Sequence, residues 1–419
     1  MDHFTLRDGA LHCEDVPLVR IAAEVGTPVY VYSQATLERH ADVFRAGLQG
    51  IDRPHLAFAV KANPNLAVLR VLARAGYGAD IVSGGELARA LAAGMAPADI
   101  VFSGVGKTRA EIEAALAAGI GQVNIELEEE GRVLAQIAAA RGETAAAVLR
   151  VNPDVDAGTH AKISTGKAEN KFGVPIDQAP AIFARLAGTP GLDLRGVAIH
   201  IGSQLGTLAP LEAAYARVGA LVRELRANGH MISHVDLGGG LGVPYRADDV
   251  FPSPANYGAM VARATRGWDV TLMFEPGRVI CGNAGVLLTQ VIWVKPGVVH
   301  PHVIVDAAMN DLARPALYDA WHDFVAVRPN GARMTANIAG PVCESGDTFA
   351  TARDIDAVES GDLAVFRTAG AYGATMASTY NSRGLVPEVM VSGDRYAVVA
   401  DRIAPATILS AERVPEWLA

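Results

Sequence analysis

Cysteine is scarce in this chain: three in 419 residues, Cys13, Cys281 and Cys343. An odd number without metal-type spacing excludes a disulfide framework and points to a reduced, cytoplasmic location. His300-Pro301-His302 lacks the further ligands that a metal site needs, so no metal is expected. No apolar run reaches the length of a transmembrane helix, so no membrane partner is expected. The first residues, from Met1 to Asp8, carry acids and no long apolar core, which speaks against a secretory signal. An excess of positive charge is missing too. The 36 lysines and arginines against 45 aspartates and glutamates leave a formal net charge of -9, which argues against nucleic acid or an anionic membrane as a partner. Small acidic substrates stay open through local arginines.

What is present is core material and rhythm. With 50% hydrophobic residues, the chain can fill a large core and has room for two domains. Residues 1–33 read as short strands ending in the alternating Val29-Tyr30-Val31-Tyr32, and a helix is expected from about Ser33, its N-cap, to Leu48. Apolar runs of strand length then alternate with helical segments, at 55–60, 79–82, 99–102, 122–125, 145–151, 195–201, 234–237 and 270–274. Such alternation is expected of a (β/α)8 barrel, although a doubly wound sheet would alternate in the same way. Polar residues and glycines collect at the C-terminal ends of these runs, where a barrel keeps its active site. Beyond Arg278 the pattern changes to strands with Gly/Pro turns, at 286–294, 303–306, 335–339 and 363–367. The expected fold class is therefore α/β: a TIM-like (β/α)8 barrel over 34–278, with a mostly β domain over 279–419 that the strands of 1–33 join.

The strand ends carry the chemistry. Lys61 closes the first apolar run, and an ammonium there is paired, reaches water, or works as an amine nucleophile. On that stretch alone, reaching water is favoured. Gly238-Gly239-Gly240 after the seventh run and Gly277-Arg278 after the eighth sit where barrels commonly hold a phosphate, with backbone N–H groups and a guanidinium as donors. His200 ends the sixth run, either as a hydrogen-bonded core histidine or with its ring facing an aromatic cofactor. Glu275 ends the eighth, where a buried carboxylate needs a partner, and Arg278 could be that partner. An amine, a phosphate cradle, an imidazole and a carboxylate together suit pyridoxal phosphate. That cofactor takes a lysine for its Schiff base, donors for its phosphate and an acid for its pyridine nitrogen.

Ordered motifs over nearly the whole chain strengthen this reading: Phe58 to Asn63, Asp80 to Glu86, Lys171-Phe172-Gly173, His200 to Gln204, the glycine triplet, Glu275 to Arg278, Arg314 to Tyr318, Cys343 to Asp347, and Tyr372. On these motifs the sequence resembles the diaminopimelate decarboxylases, of the alanine-racemase-like fold type. The resemblance implies that Lys61 forms the Schiff base, that His200 stacks on the ring and that Glu275 binds the pyridine nitrogen. Asp80 belongs to the same cofactor site. Ser203, Gly238, Gly239, Gly240, Gly277, Arg278 and Tyr372 would hold the phosphate.

Arg278, Arg314, Tyr318 and Tyr372 would hold the substrate, with Glu344 on the distal ammonium. Cys343 would protonate the carbon after CO2 leaves. Without the resemblance, Arg314 and Tyr318 read as surface residues at a turn. The implied reaction releases L-lysine from meso-diaminopimelate by loss of the carboxylate on its D-configured carbon, the last step of lysine biosynthesis. The implied assembly is a head-to-tail homodimer with shared sites. Asn152 to Gly173 is a candidate lid. Phe58, Ala307 and Ala308 depart from the family's usual residues without removing a group that the chemistry uses. Alternatives are an ornithine, arginine or carboxynorspermidine decarboxylase of the same fold, or a silent homologue.

Overall fold

The computed structural model describes residues 2–156 and 170–418. The lid candidate from Asn152 to Gly173 has its middle, 157–169, outside the described residues. The chain divides into two compact units, one of 38–244 with 250–280 and one of 1–37, 245–249 and 281–419.

The first unit is a closed parallel barrel. Its eight strands are His55–Ala59, Gly78–Ile81, Ile100–Phe102, Gln122–Ile125, Ala145–Asn152, Leu192–Ala198, His234–Asp236 and Thr271–Phe274. Each pairs with the next, and the eighth returns to the first through Met273 opposite His55. A doubly wound sheet would leave two edges, so closure decides between the two alternations. Both faces of such strands are covered, and Gly78–Ile81 and Gln122–Ile125 are buried throughout. Local signals start two of the barrel helices. Thr108 and Glu111 form a capping box at Arg109–Ala118, and Ser83 caps Gly84–Ala92.

The second unit is mostly β. Val29–Ser33 lies inside its main sheet, antiparallel to Gly285–Lys295 and parallel to Glu388–Ser392. Phe4–Arg7, Ala10–Cys13 and Val16–Pro17 form a separate antiparallel sheet. Its Phe4, Leu11, Cys13 and Val16 join Val29, Val31, Val286, Val365 and Val389 in one buried cluster. Each such valine contributes roughly 1.5–3 kcal/mol when fully buried. Ser33 ends its strand and caps the next helix, Gln34–Gly47, by accepting from the Thr36 N–H at 3.0 Å.

Several local readings need correction. The first barrel strand stops at Ala59, and Lys61 sits in a 3-10 turn, Val60–Ala62. Leu18–Val25 is a helix rather than a strand, because Leu18 and Ile21 are one turn apart and share its buried face. Thr348–Asp356 is a nine-residue strand that the reading missed. Its sequence, Thr-Phe-Ala-Thr-Ala-Arg-Asp-Ile-Asp, is too polar for an apolar run. Tyr245–Asp249, inside the expected barrel range, groups with the β unit, where Arg246 lies 3.9 Å from the Trp321 ring centre.

Candidate functional site

The barrel gathers the predicted cofactor residues at the C-terminal ends of its strands. Lys61 Nζ donates to Asp80 Oδ2 at 2.5 Å, and the Asp80 side chain is fully buried. The turn carrying Lys61 is pressed against the end of the eighth strand. A Cβ on Gly277 would stand 3.1 Å from the Cβ atoms of both Ala59 and Ala62, and the Ala59 N–H donates to the Pro276 carbonyl at 3.1 Å.

His200 is half-buried. Burial, then the charges of Arg150 and Lys61, hold its imidazole well below the usual histidine range, so the ring is neutral. The Gly239 N–H donates to Nδ1 at 3.2 Å, which leaves the ring proton on Nε2. Arg278 donates to Ser203 Oγ at 3.2 Å.

The glycine triplet is demanded by close approach. A Cβ on Gly238, Gly239 or Gly240 would lie 2.4, 2.2 or 2.4 Å from the carbonyl oxygens of Ile199, Glu275 or Gly202. Two of its N–H groups are already used, Gly238 on Asp236 and Gly239 on His200, so the cradle is narrower than three bare donors.

Glu275 is buried, and burial followed by the charges of Asp236 and Asp80 pushes its carboxyl well above the usual range. Its partners are Ser103 Oγ at 3.3 Å and Asn124 Nδ2 at 3.4 Å. The sequence reading, which offered Arg278 as the partner, did not name them. A signal was there: Asn124 alternates with Val123 and Ile125 on a strand buried throughout, which marks a polar group facing inward.

Two further buried cations were also unassigned. Lys107 donates to the Gly104 and Asn124 carbonyls and to Glu130, each at 2.7 Å. Arg150 donates to Glu126 at 2.8 Å and lies 4.9 Å from the Phe172 ring centre. The Gly173 N–H donates to the other Glu126 oxygen at 2.6 Å, so the Lys171-Phe172-Gly173 motif is tied to that ion pair.

The β unit holds the remaining predicted residues. Arg314 begins a short helix, Arg314–Tyr318, and is buried, against its reading as a surface residue. Its Nη1 donates to Tyr245 Oη at 2.8 Å and meets His322 Nε2 at 2.9 Å. His322 Nδ1 meets the Arg367 carbonyl at 2.8 Å, so the ring proton is there and Nε2 is the acceptor. Tyr318 is half-buried, as is Tyr372, whose φ of 55° is left-handed.

Cys343 and Glu344 are exposed. Their loop is held by buried Asp347, which accepts from Val342 N–H at 2.7 Å and Met309 N–H at 2.6 Å. The Cys343 N–H donates to Asn381 Oδ1 at 3.1 Å.

A family profile described as pyridoxal-dependent decarboxylase, pyridoxal binding domain, matches residues 16–282. The diaminopimelate decarboxylase of Zymomonas mobilis is 51% identical, with 99% of each chain covered. That of Pseudomonas fluorescens is 52% identical, covering 98% of this chain and 99% of the relative. The chain belongs to the diaminopimelate decarboxylase family. Among solved structures, the diaminopimelate decarboxylase of M. jannaschii in complex with L-lysine matches with a TM-score of 0.95 at 34% identity, covering 100% of this chain and 99% of that one. The Helicobacter pylori enzyme with L-lysine gives 0.90 at 38% identity, covering 94% and 98%.

As a member of the diaminopimelate decarboxylases, the chain is a pyridoxal-phosphate-dependent decarboxylase, and its barrel mouth fits that cofactor. Asp80 Oδ1 is buried without a hydrogen-bond partner among the described residues, beside the amine that the cofactor requires. A carboxyl of raised proton affinity and a neutral, oriented imidazole stand at the same mouth.

Proposed function

We propose that this chain decarboxylates meso-2,6-diaminopimelate at its D-configured carbon, giving L-lysine and CO2. The observation that carries the reading is identity of about half the residues to diaminopimelate decarboxylases along the full chain, with a barrel lysine salt-bridged to a fully buried aspartate. Lys61 would hold the cofactor's aldehyde carbon, Glu275 its pyridine nitrogen, and Ser203, Gly238, Gly239, Gly240, Gly277, Arg278 and Tyr372 its phosphate. Pyridoxal phosphate supplies an electron sink for the bond to the departing carboxylate.

Asp80 aims Lys61 Nζ through their short ion pair. The neutral His200 ring offers a flat face without adding positive charge. Arg278, Arg314 and Tyr318 bind the distal carboxylate, and Arg314 is oriented for that by Tyr245 and His322. Glu344 binds the distal ammonium. Cys343 Sγ delivers the proton to the carbon that has lost CO2. A homodimer with shared sites and a cytoplasmic location complete the reading.

The test is CO2 release by the purified, cofactor-loaded protein given meso-diaminopimelate, ornithine or arginine. Release from meso-diaminopimelate alone is expected, and release only from ornithine would overturn the substrate assignment.

A further inference from the structure

Beside Glu275 lies a second acid without a role so far. Asp236, the last residue of the seventh barrel strand, is 1% exposed. Its Oδ1 accepts from the Gly238 N–H at 2.9 Å and its Oδ2 from Asn124 Nδ2 at 2.9 Å. The same Asn124 nitrogen is 3.4 Å from Glu275 Oε1. Gln122 Nε2 donates to Asn124 Oδ1 at 2.8 Å, which fixes the amide so that its nitrogen faces both acids. One amide nitrogen thus stands between the two carboxyl groups. Carboxylates have only lone pairs to offer, so two of them gathered on one buried amide repel unless one carries a proton.

The surroundings favour keeping that proton. The titratable groups facing the pair are Asp80, Lys61, Tyr215 and Tyr257. Lys61 is salt-bridged to Asp80, and both tyrosines, joined at 3.0 Å through their hydroxyls, are buried and neutral. The other donors, Asn124, Ser103 and the Gly238 N–H, are uncharged. Burial raises the proton affinity of both acids, and the charges of Asp236 and Asp80 raise that of Glu275 further.

We propose that Asp236 is a positioning residue for Glu275: the two carboxyl groups, bridged by the Asn124 amide, share a single proton in the cofactor-free protein, so that the pair presents one negative charge to the cofactor's ring nitrogen. The part concerning the ring rests on the assignment of Glu275 to the pyridine nitrogen. One negative charge matches one protonated pyridine, whereas two would leave a buried excess.

Infrared spectroscopy of the full-length chain freed of cofactor, followed over pH, reads the C=O stretch of a protonated carboxylic acid directly. In the wild type this band persists at neutral pH and titrates away above it. Asp236→Asn, close in shape and still able to accept from Gly238, lowers the midpoint of the remaining acid by about one pH unit or more. Glu275→Gln removes the acid whose proton affinity burial and the Asp236 charge raise, so it abolishes the band at neutral pH, and it carries the test alone if Asp236→Asn fails to fold by circular dichroism. A wild type without an acid band at neutral pH, or midpoints unchanged in the folded variants, overturns the proposal. The decarboxylation assay is independent. The band and its shift without CO2 release would sink the proposed function and leave the shared proton standing, and CO2 release without the shift would do the reverse.

Discussion

In the barrel, Asp80 and Glu275 are 0% and 8% exposed and are wired to neighbours across the strand ends, whereas in the β unit Cys343 and Glu344 stand exposed on a loop that buried Asp347 pins. The first arrangement tunes Glu275 itself, because desolvation and fixed neighbours raise its proton affinity. The second fixes the backbone and leaves the side chains open to whatever binds against them. Substitutions in the barrel should therefore alter cofactor spectra, and substitutions in the loop should alter turnover with those spectra intact.

The sharpest break in that division is expected at Lys61. Lys61→Ala should abolish the absorbance of the protein-bound cofactor link and reduce CO2 release by at least about 10³-fold. Cys343→Ala should keep that absorbance and slow turnover by about 10²-fold or more, the share of one positioned acid. A cofactor spectrum lost with Cys343 would erase the distinction. Glu344→Gln, an exposed change that spares the fold, should raise KM for meso-diaminopimelate by about tenfold with kcat nearly unchanged.

The smallest effect separates the units by pH. Burial lowers His234, at the start of the seventh barrel strand, from 6.5 to about 4, and raises Asp311 in the β unit from 3.8 to about 6. His234 takes a proton more readily when unfolded, so its contribution to stability is full above about pH 6.5 and is lost as pH falls toward 4. Asp311 is the reverse: its contribution is full below about pH 4 and is lost as pH rises through 6. Amide exchange corrected for intrinsic rates, compared at neutral and acidic pH, should show β-unit peptides around Asp311 gaining protection on acidification. In the barrel the raised Glu275 and Asp236 act against His234, so His234→Asn should shift the balance there toward gain. Asp311→Asn should flatten the β-unit response, and a response that persists unchanged would remove Asp311 as its cause.

Much of the barrel was readable because each strand is a local apolar run whose polar end residue follows in sequence. Lys61, His200 and Glu275 were found in that way. Asn124 and Asp236 were not, since their meaning lies in a contact 112 residues apart and their chain neighbours are apolar. In the β unit, Arg314 read as a turn residue because nothing near it announces Tyr245, 69 positions away. The strand Thr348–Asp356 was hidden by its exposed Thr351 and Asp354, since such residues join a sheet through backbone rather than through apolar side chains.

The glycine triplet has a consequence for how such a protein can change over generations. A single methyl at Gly239 would meet the Glu275 carbonyl at 2.2 Å, and one at Gly238 would meet the carbonyl of Ile199 at 2.4 Å. Both contacts are with backbone, which no rotamer can relieve. Three strand ends are locked together there as stones in an arch are locked by the one at its crown, so drift at these positions has no gentle intermediate. New specificities can be tried by changing exposed loop residues one at a time, while the crown of the barrel is inherited whole or lost.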